Sequence, residues 1–437
     1  MSLICRSRIK MNSAKSSTLL LSLKIALTCL LLVCLGLDRA DAQTDKSVSL
    51  PQLLTGKKKV TDTLQKDSAA SGQKDLPDVF KSLFHLKPGK ENDSIGSKPI
   101  ISIVPALGYT LVSKLALVLS GNLAFCTGPK SRVSTVVGSV SYTQNKQIII
   151  PIQTALWTKK NDYVFVGDYR FYQYPQSTFG LGSNSNIKDE EPMDFSFARF
   201  YETALRHISG NWYAGLGYAI DTYWNITQET PLDGQPSAYL RYGKSSRSVA
   251  SGLTFNILHD SRDNSINPSS GWYGSLQYRN SNKWLGSTAN WRSLILDLRK
   301  YVNFPYGSKN VLAFWSYNWV VLNGRPAYLN LPSSSWDPNS ATGRGYIQGR
   351  FRGAQMFYLE SEYRFNLTKN GLIGGVVFAN AQTLSAEPGT RLQRIQPAIG
   401  PGLRLKLNKT SRTNIAIDYG FGRQGSRGLF IDVGEVF

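Results

Sequence analysis

Histidine and cysteine are scarce in this sequence of 437 residues. It has three histidines, His85, His207 and His259, and three of its four cysteines fall within the first 34 residues. Neither G-x-S-x-G nor H-E-x-x-H occurs, so the nucleophile and zinc motifs of common hydrolases are missing. His259 stands beside Asp260, but a catalytic constellation also requires a nucleophile. The composition argues against an enzyme and predicts no cofactor and no metal site.

Long apolar runs are also missing from most of the chain, and the mean hydropathy is −0.23. A polytopic helical membrane protein needs repeated apolar runs of about 20 residues, so this class is excluded. A transmembrane β-barrel is not excluded, because its strands alternate lipid-facing and water-facing residues. The formal net charge is +21, but the basic residues are dispersed along the chain, which argues against nucleic-acid binding.

The first 42 residues have the pattern of a secretory signal peptide. Basic residues precede an apolar core from Ile25 to Leu37, and Ala40-Asp41-Ala42 offers the small residues that signal peptidase reads. The apolar core is too short for a membrane-anchoring helix. Cleavage before Gln43 would leave Cys126 as the last cysteine, so neither an intrachain disulfide nor a cysteine metal cluster is expected.

Residues 43–97 are polar and rich in Lys, Asp, Ser and Gly, which predicts a short, largely disordered periplasmic lead-in. Only Phe80 and Phe84 of the 50 Phe, Tyr and Trp residues precede residue 98, so the folded body must follow. The stretch from Pro77 to Leu86 has apolar residues at near-helical spacing. Two interpretations stay open: a short amphipathic helix without a role, or a segment that docks in or under the folded body.

From Lys98 onward, apolar residues recur with a period of two, as Leu253, Phe255 and Ile257 do. Such alternation predicts strands with one apolar and one polar face. Strand lengths of about 9 to 13 residues suit tilted membrane-spanning strands, and aromatic residues recur near strand ends, where interface girdles lie. The sixteen predicted strands are 99–109, 113–124, 132–143, 147–158, 162–173, 194–207, 212–224, 247–259, 271–280, 290–302, 311–323, 355–366, 371–382, 397–407, 413–422 and 428–437.

These strands predict an all-β fold, a 16-stranded antiparallel transmembrane β-barrel over residues 98–437. With the N-terminus in the periplasm, the connections after even strands are short and periplasmic. The connections after odd strands, such as 174–193, 225–246 and 324–354, are long and face outward. The expected location is the bacterial outer membrane, in contact with its lipid, including lipopolysaccharide.

The end of the chain alternates in the same way. Leu429, Ile431, Val433 and Phe437 share one face of the last predicted strand, and the chain stops at Phe437. A terminal aromatic residue after alternating apolar residues resembles the signal that barrel-assembly machinery reads. This machinery is therefore an expected partner during biogenesis.

Four local motifs resemble those of the BamA/TamA family of bacterial surface antigens. They are the turn with Asp260, Arg262, Asp263, Pro268 and Gly271; Gly343-Arg344-Gly345-Tyr346; Glu362-Tyr363-Arg364-Phe365; and the C-terminal stretch from Gly400 to Phe437. They occur in the family's order and on the matching strands or connections. The resemblance covers residues 98–437 and implies a sixteen-stranded barrel.

The resemblance also implies that the sixth outer loop folds into the lumen, where its motif arginine pairs with acids on strands 12 and 13. In this chain, the resemblance implies that the loop residues Arg344, Gly345 and Tyr346 are held in the lumen by Glu360, Glu362 and Asn380. This arrangement is called the loop lock here. The family has an aspartate where Asn380 stands, but an asparagine can still accept a hydrogen bond. The alternative is that Arg344 is one of several solvated loop arginines.

The same resemblance suggests a role in assembling or translocating outer-membrane proteins or lipids. The 55 residues from 43 to 97 are too few for a POTRA domain, which suggests a short branch of the family, and the clients stay unidentified. A passive, anion-preferring pore is the alternative, and an outer-membrane hydrolase is a second one. Gly402, Gly420, Gly422 and Gly434 either weaken packing near the junction of first and last strands or relieve crowding in the wall.

Overall fold

The computed structural model describes residues 73–83, 99–110, 114–228 and 236–437. Within them, the chain forms one antiparallel sheet of 16 strands, each hydrogen-bonded to its sequence neighbours. This sheet confirms the predicted all-β, sixteen-stranded antiparallel barrel fold. The strands are β1 (Ile100–Thr110), β2 (Lys114–Cys126), β3 (Val133–Thr143), β4 (Ile148–Trp157), β5 (Tyr163–Thr178), β6 (Glu191–Ser209), β7 (Trp212–Gln228), β8 (Arg247–Asp260), β9 (Gly271–Ser281), β10 (Trp291–Asn303), β11 (Val311–Gly324), β12 (Gln355–Asn366), β13 (Ile373–Leu384), β14 (Gln396–Asn408), β15 (Thr413–Gly422) and β16 (Arg427–Val433).

The apolar face of β8 points outward, which is the reverse of a water-soluble protein. In β8, Leu253, Phe255 and Ile257 are 45%, 56% and 43% exposed. Their polar neighbours Thr254 and Asn256 are 1% and 7% exposed on the lumenal side. An apolar outer wall around a polar lumen is the arrangement of a membrane-spanning barrel.

The junction between β1 and β16 differs from every other strand junction. The Cα atoms of the two strands approach within 8 Å, so they lie side by side. Yet no hydrogen-bonded ladder joins them within the described residues, whereas the other neighbouring strands are all paired. In the part of the chain that the structure describes, the barrel wall is therefore hydrogen-bonded at every strand junction except this one.

Three strands are longer than predicted by at least four residues. β5, β6 and β7 have 16, 19 and 17 residues. Their extra residues at the outer end pack against the long connection between β11 and β12. Gln176, for example, donates a 3.0 Å hydrogen bond to the carbonyl of Gln348 in that connection.

The last strand is shorter than predicted, and this corrects the assignment of 428–437. β16 ends at Val433, and the four final residues turn away from the wall. Leu429 and Ile431 stay on the outward face with Val433, since they pair with residues of the same orientation in β15. Phe437 does not share that face, because its side chain is 3% exposed inside the lumen.

In the described residues, two α-helices accompany the sheet, α1 (Leu76–Leu83) and α2 (Ala238–Gly243). The N-terminal end of α1 is capped by two side chains. The Asp78 carboxylate accepts a 3.1 Å hydrogen bond from the backbone nitrogen of Asp75, and the Asp75 carboxylate accepts one of 3.1 Å from the backbone nitrogen of Asp78. Asp75 accepts from the Lys409 backbone nitrogen, and Asp78 pairs with the Lys409 Nζ at 3.0 Å. The predicted helix therefore contacts the β14–β15 connection. Among the described residues, no helix is both long and apolar enough to cross a bilayer.

The predicted signal peptide at 1–42 lies outside the described residues, as does the predicted lead-in at 43–97 apart from 73–83.

Candidate functional site in the barrel lumen

The connection between β11 and β12, residues 325–354, folds into the barrel and is called the lumenal loop here. Its aromatic side chains Trp336, Tyr346 and Phe351 are 4%, 1% and 1% exposed. Trp336 packs against aromatic residues of β5 to β7, including Phe197 at 5.2 Å between ring centroids. Burial of large aromatic side chains is the main apolar contribution to holding this loop inside the lumen.

Arg344 of the lumenal loop reaches three carboxylates. Its Nη2 pairs with Glu360 and Glu362 of β12, and its Nη1 lies 2.6 Å from Asp418 of β15. The guanidinium is 2% exposed, so these ion pairs are almost fully shielded from water. Burial alone would lower the pKa of Arg344, but Glu360, Glu362 and Asp418 outweigh it and raise that pKa well above its usual value. The structure thus brings Arg344 to both predicted acids and adds a third.

Asn380 takes part differently from the prediction. It donates a 3.0 Å hydrogen bond from Nδ2 to the backbone carbonyl of Arg344, instead of accepting one from the guanidinium. The guanidinium lies 3.9 Å from the ring centroid of Phe378 in the same strand. β13 therefore holds the loop through a backbone hydrogen bond and a cation–π contact, without a carboxylate.

Two further arginines share the acids around Arg344. Arg364 pairs with Glu362 at 2.7 Å, and Arg404 pairs with Asp418 at 2.6 Å. Asp418 therefore bridges two guanidinium groups, and Glu362 bridges three, since Arg404 also lies 3.8 Å from it. Sharing of this kind satisfies more of the carboxylate lone pairs and lowers the cost of burying the charges.

Glycines in the wall let the lumenal loop approach its backbone. A Cβ atom on Gly420 would lie 2.5 Å from the backbone nitrogen of Gly345, and one on Gly422 would lie 2.7 Å from the ring of Tyr346. Gly345 itself has a φ of +103°, which favours glycine. A Cβ on Gly402 would collide with Asp418. The interpretation that these glycines relieve crowding is therefore supported at three of the four positions.

Tyr346 holds the loop beside the start of β14. Its hydroxyl donates a 2.6 Å hydrogen bond to the carbonyl of Pro397 and accepts one of 3.0 Å from the backbone nitrogen of Arg423. Arg350 of the same loop makes no ion pair with a carboxylate of the described residues and donates instead to Ser185 and Gln424. Burial lowers the pKa of Arg350 to about 10.

A second buried charge cluster, which the sequence reasoning missed, lines β5 to β9. Arg170 pairs with Asp168 at 2.7 Å, Arg199 bridges Asp168 and Asp221, and Arg279 pairs with Asp221 at 2.7 Å. The sequence does contain a sign of this cluster, because these charged residues occupy polar positions in strands whose apolar and polar residues alternate. An Asp-x-Arg spacing puts both charges on one face, and Asp297-Leu298-Arg299 repeats it.

This second cluster also touches the lumenal loop. Arg170 donates from Nη2 to the carbonyls of Asp337 and Pro338, both at 3.0 Å. The loop is therefore held from two sides, by Arg344 against β12 and β15 and by Arg170 from β5. Below it remains a cavity of about 700 Å³ that extends to the periplasmic connection after β8.

The predicted turn motif forms that periplasmic connection. Asp260 pairs with Arg262 at 2.9 Å, and Asp263 accepts hydrogen bonds from the backbone nitrogens of Ser269 and Ser270. Burial would raise the pKa of Asp263, but the hydrogen bonds from Ser269 and Ser270 hold it below its usual value. An ion pair of 2.8 Å joins Asp263 to Arg412 in the β14–β15 connection.

Gly271 closes the motif with a φ of +94°, and any Cβ there would collide with the carbonyl of Ser261. Pro268 lies in the same connection, immediately before Ser269. The structure thus places the five predicted turn residues at one connection, and Asp263 joins it to the β14–β15 connection.

His259 does not form a dyad with Asp260. Its ring stacks on Trp272 at 3.8 Å between centroids and meets Trp212 edge-on at 4.6 Å. Both ring nitrogens are buried without a hydrogen-bond partner, while the Asp260 carboxylate is engaged by Arg262. His259 is packed as an aromatic residue in the wall.

Comparison with known families agrees with this geometry. The family model described as the Omp85 superfamily domain matches residues 170–427, which is more than half of the chain. The chain belongs to the Omp85 superfamily. The matched range includes the periplasmic turn, the lumenal loop and the acids of β12, and it confirms the resemblance inferred from those motifs.

The Omp85 barrel is similar in fold to BamA from Haemophilus ducreyi lacking POTRA domains 1–3, with a TM-score of 0.50 and 13% identity over 81% of this chain and 78% of that one. CdiB from Acinetobacter baumannii matches with a TM-score of 0.49 and 12% identity, over 77% of this chain and 65% of that one. CdiB from Escherichia coli matches with a TM-score of 0.48 and 11% identity, over 77% of this chain and 67% of that one. A search of curated proteins finds no match. At 13% identity, the likeness to BamA concerns the fold alone.

Proposed function

We propose that this protein is an outer-membrane barrel of the protein-assembly or translocation type, in which the β1–β16 junction is the working element. The observation that carries the proposal is the missing ladder between these two adjacent strands in the described part of the chain. Unpaired strand edges present rows of N–H and C=O groups that can template another strand. A client strand can pair at this junction while the other fifteen junctions hold the wall together.

The outer membrane is the proposed location. The apolar outer wall supports contact with lipid acyl chains, and the export signal predicted at 1–42 supports passage to the periplasm. The excess of basic residues favours contact with phosphates of lipid headgroups, lipopolysaccharide included. Insertion of this barrel would itself depend on barrel-assembly machinery, which reads the C-terminal residues before they fold.

Depletion of the protein in its own organism tests the assembly role. We expect at least one other barrel or surface lipoprotein to fall in abundance in the outer-membrane proteome, because a client without its assembly factor is degraded in the periplasm. Expression of the wild-type chain should restore it, and depletion of an unrelated porin serves as the control. If no other outer-membrane protein changes, the assembly role is wrong.

A passive pore is the second candidate, because a cavity of about 700 Å³ remains in the lumen. Four arginines line that cavity, which would favour anions if their charges were free. Each is instead paired with an aspartate: Arg199 with Asp168 and Asp221, Arg262 with Asp260, Arg279 with Asp221, and Arg299 with Asp297. The lumenal loop above the cavity further disfavours steady conduction.

Planar-bilayer recordings separate the two candidates. We expect the wild-type barrel to be mostly closed to ions, with brief openings. The Arg344→Ala barrel should stay open for longer, because the lumenal loop is then held less firmly. Recordings under a salt gradient measure the ion selectivity. A large, steady, anion-selective conductance of the wild-type protein would favour the pore and count against a loop-closed barrel.

A further inference from the structure

The last four residues, 434–437, leave the wall and enter the lumen; they are called the C-terminal strap here. The strap begins at Gly434, whose φ of +125° turns the chain and whose nitrogen donates a 2.8 Å hydrogen bond to the carbonyl of Asn414. Beyond this bond, Val436 and Phe437 are 5% and 3% exposed. The side chains of both residues are therefore enclosed by the lumen and not exposed to water.

Phe437 lies in a pocket built by β10, β11 and β12. Its ring stacks on Trp315 at 5.1 Å between centroids and lies 6.3 Å from the ring of Tyr301. The guanidinium of Arg364 lies 5.2 Å from the ring centroid, and its Nη2 donates a 3.0 Å hydrogen bond to the backbone oxygen of Phe437. The pocket therefore contacts both the ring and the main chain of Phe437.

The strap is also joined to the lumenal loop. Asn339 of the loop donates a 3.1 Å hydrogen bond to the carbonyl of Val436. Glu435 of the strap pairs with Arg404 at 2.7 Å, and Arg404 pairs with Asp418, one of the three acids that hold Arg344.

Arg364 makes a second connection of the same kind. It contacts Glu435 and Phe437 of the strap and also Glu362, which Arg344 engages. Two arginines of the wall, Arg364 and Arg404, thus share their charges between the strap and the acids of the loop. Removing Arg344 leaves those acids with fewer cations, so they compete with Glu435 for the shared arginines.

We infer that Trp315, Tyr301 and Arg364 form a binding pocket for the ring and the main-chain oxygen of Phe437, and that its occupation couples the end of β16 to the lumenal loop. The strap and the loop are then released together. This inference goes beyond the proposed function, since it concerns the internal coupling of the barrel and stands even if depletion changes no other outer-membrane protein.

Thiol labelling of Val436→Cys tests the coupling, in a chain with Cys126→Ser, purified folded in detergent. The thiol should react slowly with a maleimide, because residue 436 is buried. Arg364→Ala, which removes the pocket, should raise the labelling rate. Arg344→Ala, which touches only the loop side, should raise it by about tenfold, the size of a usual coupling between groups that share partners.

Arg350→Ala is the matched control. Arg350 is on the same loop and equally buried, but its partners are Ser185 and Gln424, outside the shared network. This variant should leave the thiol protected. Semi-native gels check that each variant is folded, and Arg344→Lys replaces any Arg344→Ala protein that is not.

Two results would overturn the inference. Fast labelling of Val436→Cys in the parent chain would mean that the pocket is empty. Equal labelling rates in the folded Arg344 and Arg350 variants would mean that the strap and the loop are independent. A separate measurement is the thermal midpoint of Glu435→Gln combined with Arg344→Ala, where coupling predicts less than the sum of the single losses.

Discussion

Arg344→Ala is expected to lower the free energy of unfolding by about 3–5 kcal/mol, the usual cost of removing one partner from a buried ion pair. The substitution leaves the carboxylates of Glu360, Glu362 and Asp418 in a lumen shielded from water with one cation fewer. The midpoint of heat-induced unfolding on semi-native gels measures this loss. The result would assign the lumenal loop a locking role through this arginine.

Arg325→Ala is the matched control for that measurement. Arg325 lies on the same loop, but its side chain is 56% exposed and its partner Glu387 is 49% exposed at 3.6 Å. An exposed pair of this kind contributes less than about 1 kcal/mol. Arg344→Lys should fall between the two, since an ammonium group cannot offer the arginine fork to several carboxylates. An unchanged midpoint in Arg344→Ala would exclude the lock.

Gly420→Ala should destabilise the folded barrel by about 1–3 kcal/mol, the cost of overpacking a tight contact. The new Cβ would lie 2.5 Å from the backbone nitrogen of Gly345 and 2.6 Å from its Cα, so the lumenal loop must move away from β15. Backbone atoms cannot rotate aside as a side chain can. The same heat-unfolding midpoint reports the effect.

Gly121→Ala supplies the comparison, because the nearest atom to its new Cβ would be the carbonyl oxygen of Gly138 at 4.0 Å. We expect this variant to match the wild type. When Gly420→Ala is added to Arg344→Ala, its effect should shrink, because the loop is already released. A Gly420→Ala midpoint equal to that of Gly121→Ala would contradict the close approach of loop and wall.

The alternation of apolar and polar residues predicted the number and order of the strands correctly, but it did not predict the residues at which several of them end. The period of two depends on each residue's own polarity, so the sixteen strands could be counted from the sequence. Strand ends depend on partners far along the chain. β5 extends to Thr178 because the lumenal loop packs on its extension, and β16 stops at Val433 because the final residues find better partners inside.

The partners of Arg344 were partly predictable. Glu360 and Glu362 followed from the family motif and their shared face of β12, whereas Asp418 lies 74 residues from Arg344 along the chain. Its position was visible as the polar member between Ile417 and Tyr419, but nothing local indicates which lumenal charge it meets. Pairings across a lumen depend on barrel closure and on the path of the loop.

By itself, the sequence determined that this chain forms a sixteen-stranded barrel with an apolar exterior and a charged interior, since hydrophobic periodicity and connection lengths are local properties. Tertiary structure alone decided how the lumen is filled. It placed Asp418 and two wall arginines around Arg344, and it moved Phe437 from the face expected to carry Leu429, Ile431 and Val433 into a pocket beside Trp315. The physical reason is that a buried charge is stable only with partners, and the folded barrel determines which partners are within reach.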